Sequence, residues 1–213
     1  MLENIKVLAH SCIRIEGDVV LYFDPYLLEQ EFHDADIVFL THDHYDHFSP
    51  EDFAKVANEN TLVVAPESIL DTLLGAGLDS GSILCMKPGD ALEILGIPVE
   101  AVPSYNTNKD FHPQANEWLG YIVEVAGQRC YIAGDTDITP ENQQVTCDVA
   151  LVPAGGTYTM TAAEAAALVN TIRPQFAIPT HYGIVAGEKT DGATFVSLVD
   201  EGIQAVEKLH YDC

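Results

Sequence analysis

Apolar and polar positions alternate with a short period along much of this chain, which predicts a strand-rich protein with a few interspersed helices. Residues 5–15 read as strand material, closed by a turn at Glu16-Gly17-Asp18, and residues 19–23 as a second strand ended by Asp24-Pro25. A continuous apolar run predicts a buried strand over 36–41. Ser49-Pro50-Glu51-Asp52 has a cap residue, a proline at the first helical position and acids in the first turn, so a helix is expected from there to about Asn58. A strand over 61–65 and a helix over 68–74, closed by Gly75 and Gly77, follow. Residues 83–86, 91–95 and 97–102 form strand-like runs between Pro-Gly and Gly turns. Residues 103–117 are polar and irregular, and a loop of that length in a compact domain is usually functional or disordered.

Beyond that loop, residues 119–125 and 129–133 predict a hairpin turning at Gly127-Gln128, and 148–152 another buried strand. Thr161-Ala162-Ala163-Glu164 is a capping box opening an alanine-rich helix to about Asn170. A strand over 176–181 ends in a histidine, and a helix over 192–200 and a strand over 205–209 complete the pattern. With 213 residues and no composition break, the chain suits a single domain over 1–213 with a sizeable core, or two intimately packed halves. The order of elements suits an α+β fold of two packed mixed sheets with helices outside.

Charge narrows the partners. Nine Lys+Arg against 33 Asp+Glu give a formal net charge of −24, with no basic run to offset it. Such a surface repels polyphosphate and anionic lipid, so a small-molecule substrate is expected rather than nucleic acid or a membrane. No apolar stretch is long enough for a membrane span, and the N-terminus has no basic-then-apolar secretion signal. Cys12, Cys85, Cys130, Cys147 and Cys213 are scattered, odd in number and without a C-x-x-C pair, which suits free thiols in a reducing cytoplasm. The sequence is silent on oligomeric state.

The chemistry concentrates in Thr41-His42-Asp43-His44-Tyr45-Asp46-His47, directly after the strand predicted over 36–41. In an extended segment His42 and His44 project to one face and can grip one cation. A turn after Tyr45 would let Asp46 and His47 face a second. Imidazole and carboxylate donors without thiolates suit zinc, iron(II) or manganese in an open site. Asp135, in Ala-Gly-Asp-Thr-Asp, and His181, in Ile-Pro-Thr-His-Tyr-Gly, stand at two other predicted strand ends.

The 41–47 segment resembles the T-H-x-H-x-D-H signature of the metallo-β-lactamase superfamily. The resemblance implies a four-layer αβ/βα sandwich with metals at one edge between the sheets. It implies two divalent metal ions, zinc first with manganese or iron as alternatives. Asp135 would bridge the metals, and His181 would join Asp46 and His47 on the second one. Asp24, in Phe23-Asp24-Pro25-Tyr26, resembles an outer aspartate that fixes the histidine loop. His10, in Leu8-Ala9-His10-Ser11-Cys12, is similar to a segment of the cytoplasmic ascorbate-6-phosphate lactonase-like branch. It lies near the site or is simply structural.

One departure stands out. The superfamily usually places a further histidine before the bridging aspartate, but here the matching stretch reads Val102-Pro103-Ser104-Tyr105-Asn106. His112, from the long loop, is the candidate to complete the first metal's shell with His42, His44 and Asp135; Asn106 is the alternative. The resemblance implies a hydrolase using a metal-bound hydroxide that Asp46 orients, acting on a small ester, lactone or phosphoester. Tyr105, Asn106 and Tyr182 are candidates for substrate contact, and water, His10 or Tyr182 for protonating the leaving group. Lys109 and Lys189 could hold a substrate anion. The alternative reading is a non-catalytic or mononuclear metal-binding module of the same fold.

Overall fold

The computed structural model describes residues 2–209, and Cys213 lies outside them. Residues up to Lys87, with Leu209, form one compact unit, and Pro88–Lys208 form the second.

The first unit carries a six-stranded mixed sheet in which β1 (Ile5–Ala9), β2 (Cys12–Ile15), β3 (Leu21–Phe23), β4 (Ile37–Phe39), β5 (Leu62–Pro66) and β6 (Ile83–Met86) lie in sequence order. β1, β2 and β3 pair antiparallel; β3 through β6 pair parallel. Residues 5–15 are therefore not one strand. Their apolar-rich run continues on both sides of a reversal at His10-Ser11, where His10 adopts a positive φ of 47°. With no Gly or Pro to mark it, that turn was invisible in the pattern.

α1 (Pro50–Val56) starts where the cap predicts, with the Ser49 hydroxyl accepting the Asp52 N–H at 3.2 Å. α2 (Leu70–Gly75) follows a short 3-10 turn. Asp52 does more than open α1. Its buried carboxylate accepts the Leu27 and Leu28 N–H groups at 3.0 and 3.1 Å and the Lys55 ammonium at 2.9 Å, pinning the segment after Asp24. Burial pushes its pKa up, but these donors and the Ser49 contact prevail and hold it below the usual 3.8. A depressed folded pKa means stabilisation that is present above 3.8 and lost as pH falls through the folded value. Thermal melts between about pH 3 and 7 should show Asp52→Asn less stable than wild type near neutrality, with the gap closing on acidification. A gap that did not change with pH would contradict this.

The second unit holds a seven-stranded mixed sheet ordered β13-β12-β11-β10-β9-β8-β7. Its strands are β7 (Ala91–Ile94), β8 (Ile97–Pro103), β9 (Leu119–Val125), β10 (Gln128–Ile132), β11 (Val149–Pro153), β12 (Phe176–Thr180) and β13 (Gln204–Ala205). β7 to β10 form an antiparallel meander and β10 to β13 pair parallel. The last strand is only two residues long, not the run expected over 205–209: just Gln204 and Ala205 pair with β12. α3 (Ala162–Ile172) carries the expected capping box, and its Ala162, Ala165, Ala166, Leu168 and Val169 are buried in the core with α4 (Asp191–Leu198) residue Phe195. The alanines remove side-chain bulk at this contact, so the helix can lie close to the sheet.

Strand direction decides where functional groups fall. In the first sheet β1, β3 and β4 run the same way, so His10, Asp24 and the 41–47 segment emerge from one edge. In the second, β8, β10, β11 and β12 share a direction, which places the 103–117 loop, Asp135 and His181 on one edge as well. Among the described residues no helix is long and apolar enough to cross a membrane.

Candidate functional site

In the first unit Asp24 is the anchor. One carboxylate oxygen accepts the Thr41 N–H at 2.8 Å; the other accepts the Thr41 hydroxyl at 2.7 Å and His47 Nδ1–H at 2.7 Å. His47 is thereby fixed with Nε2 as its lone-pair nitrogen. The Thr41 hydroxyl, its hydrogen directed to Asp24, accepts from His42 Nδ1–H at 3.0 Å, so His42 also presents Nε2. One buried carboxylate sets the tautomer of two histidines.

His42 Nε2 lies 3.1 Å from His44 Nδ1. Two nitrogens bound at about 2.0–2.1 Å to a tetrahedral zinc stand about 3.3 Å apart, so this pair is spaced as two ligands of one cation. His10 Nε2 lies 3.2 Å from Asp46 Oδ2, and ligand atoms of His10, Asp46 and His47 fall within 4.8 Å of one another. His10 and Tyr26 meet edge-on at 6.1 Å, and Tyr26 meets exposed Tyr45 in the same way at 6.0 Å.

The second unit gathers its donors around Asp135, whose Oδ2 lies 3.2 Å from His112 Nε2 and 3.0 Å from His181 Nε2. All three residues are buried. One carboxylate oxygen is thus flanked by two imidazoles. The structure also relates His112 and Asn106, which the sequence offered as alternatives. Asn106 Oδ1 accepts the His112 backbone N–H and its Nδ1–H, both at 3.0 Å, while Asn106 Nδ2 donates to the Tyr158 carbonyl at 3.0 Å. Asn106 thus orients His112 and turns its Nε2 to Asp135. The donor sets of both units fit a divalent metal in type, burial and spacing.

Three candidate site residues, among nine non-glycine residues of positive φ in the described chain, sit in strained backbone: His10, Asp24 and His181 have φ values of 47°, 44° and 55°. Such non-glycine conformations persist only where the surroundings over-determine them, and they cluster at functional sites. At His181 the device is visible: Gly155 lies so close to the His181 carbonyl that an added Cβ would collide with it.

The expected substrate contacts fare differently. The Tyr105 hydroxyl donates to Glu141 at 2.8 Å and its ring is buried, so it is held within the second unit's interior. Tyr182 is fully buried, with its hydroxyl packed against α4 where an added Cβ at Gly192 would meet it. Lys109 is committed to Asp137 at 2.5 Å, and Asp137 itself is buried. Sequence reasoning gave no role to Thr41 or Ser104, whose hydroxyls bond Asp24 and the Asp135 carbonyl; the T of the T-H-x-H pattern was the one available signal for Thr41.

Comparison with known proteins agrees with this geometry. Residues 4–181 match the β-lactamase superfamily domain. A UPF0173 metal-dependent hydrolase of Thermococcus kodakarensis is 30% identical over 218 residues, covering 96% of each chain. Its counterpart in Pyrococcus abyssi is 26% identical over the same share. Among solved structures, a Parabacteroides distasonis protein assigned to the metal-dependent hydrolases superposes with a TM-score of 0.80 at 29% identity, over 97% of this chain and 93% of that one. The chain therefore belongs to the β-lactamase superfamily and, within it, to the UPF0173 metal-dependent hydrolases. Its two mixed sheets with helices are the α+β architecture of the metallo-β-lactamase fold.

Proposed function

We propose that this enzyme hydrolyses a small-molecule ester, lactone or phosphoester at a dinuclear centre, with zinc as the first candidate metal. His42, His44, His112 and Asp135 would hold one ion, and Asp46, His47, His181 and Asp135 the other. The observation that carries the reading is the outer support of the imidazoles. Asp24 and Asn106 fix the Nδ1 atoms of His47 and His112, as the partners of metal-bound histidines do.

Divalent ions so held supply Lewis acidity and lower the pKa of water towards neutrality. The chain's own residues do the rest. Asp46 accepts a hydrogen bond from the attacking oxygen and orients it. His10, 3.2 Å from that carboxylate, is better placed to move a proton than Tyr182, whose hydroxyl lies against α4.

The formal charge of −24 supports a small-molecule substrate over nucleic acid or an anionic membrane. A cytoplasmic setting fits the four described thiols, Cys12, Cys85, Cys130 and Cys147, none of which is in a disulfide. Screening purified protein against p-nitrophenyl esters, lactones and phosphodiesters should find one class whose hydrolysis stops on chelation and returns with added zinc or manganese. Turnover indifferent to the chelator would sink the metal-dependent reading; a metal-loaded protein inert on every class would favour a non-catalytic module.

A further inference from the structure

We propose that Asp137 is a positioning residue for the metal centre: with Lys109 it folds the loop that presents His112 as a ligand. This rests on His112 being a ligand, as argued above. A loop of polar residues has no apolar face to fix its path, so a histidine carried on it needs another constraint.

Asp137 supplies that constraint. Its carboxylate accepts the Thr107 N–H at 2.9 Å, lies 3.4 Å from the Asn108 N–H, and binds the Lys109 ammonium at 2.5 Å. Three consecutive loop residues thus close around one buried acid. Their predecessor is Asn106, whose N–H donates to the His112 carbonyl at 2.8 Å and whose side chain holds His112 at both N–H groups. The loop is therefore closed at both ends, at Asp137 and at His112.

Asp137 is itself immobilised. Its N–H donates to the Tyr105 carbonyl at 3.0 Å, and its carbonyl accepts from Asn142 Nδ2 at 2.8 Å and from the Thr136 hydroxyl at 2.9 Å. It stands two residues after Asp135, so one short segment at the end of β10 supplies a metal carboxylate and the clamp for that metal's histidine. A buried ion pair that only stabilised the fold would have no reason to act on one metal rather than both.

The test titrates metal-free full-length protein with zinc against a chromophoric chelator and records the melting temperature of each metal-free variant. Asp137→Asn and Lys109→Met should each bind zinc about 10–100-fold more weakly at one site, with the other site unchanged. Lys109→Arg, which keeps the cation, should restore near wild-type binding. His112→Ala should weaken the same site further. Wild-type zinc binding in Asp137→Asn and Lys109→Met, beside a lost site in His112→Ala, would overturn the proposal and leave a structural ion pair. Equal weakening of both sites in step with a lower melting temperature would overturn it too. Both sites retained in His112→Ala would instead remove the ligand reading on which it stands. If Asp137→Asn does not fold, Lys109→Met alone decides.

Discussion

Asp24→Ala is expected to destabilise the protein by about 3–5 kcal/mol, among the largest losses any single substitution here should cause. The carboxylate is 1% exposed and accepts from the Thr41 N–H, the Thr41 hydroxyl and His47 Nδ1–H. Removing it strands three buried donors and breaks the line through Thr41 that orients His42. Asn at this position is no rescue, because its amide nitrogen would set a donor against one of those donors. Urea denaturation of metal-free protein measures the stability, and zinc titration should show affinity lower by at least about 10-fold. A metal-free Asp24→Ala within about 1 kcal/mol of wild type would show that the network does not hold the histidine loop.

The second large effect is on turnover. On whichever substrate class the screen yields, Asp46→Asn should lower kcat by about 10²–10⁴-fold while KM changes little. An amide of the same shape still fills the space beside His10 but is an uncharged, weaker acceptor for the hydrogen bond that orients the attacking oxygen. Measured on fully metal-loaded protein, the loss reports the orientation of the attacking oxygen and not metal occupancy. A variant with kcat within a few-fold of wild type would remove Asp46 from the chemistry and leave it as a ligand at most.

The strand ends that carry His42 to His47, Asp135 and His181 were legible because each is a short segment whose apolar run stops at a polar cluster. The α1 cap at Ser49 and the α3 capping box were legible for the same reason: both are encoded within four residues. What escaped was set by chain path. The His10 turn carries no glycine or proline, so the apolar-rich run around it read as one continuous strand. The pairing of Asn106 with His112 depends on how a polar loop closes, and nothing near Asp137 in sequence reveals its burial. The bond from the Tyr105 hydroxyl to Glu141 is likewise a tertiary contact that no local pattern encodes. Sequence pattern located the donor-bearing segments; the partners that orient those donors came from tertiary structure.

The measurement that bears most directly on the dinuclear hydrolase is the metal content of the purified wild-type chain, by elemental analysis after mild dialysis. The account predicts about two divalent ions per chain, with zinc foremost. A chain that retained none, and took up none from excess zinc or manganese, would contradict it.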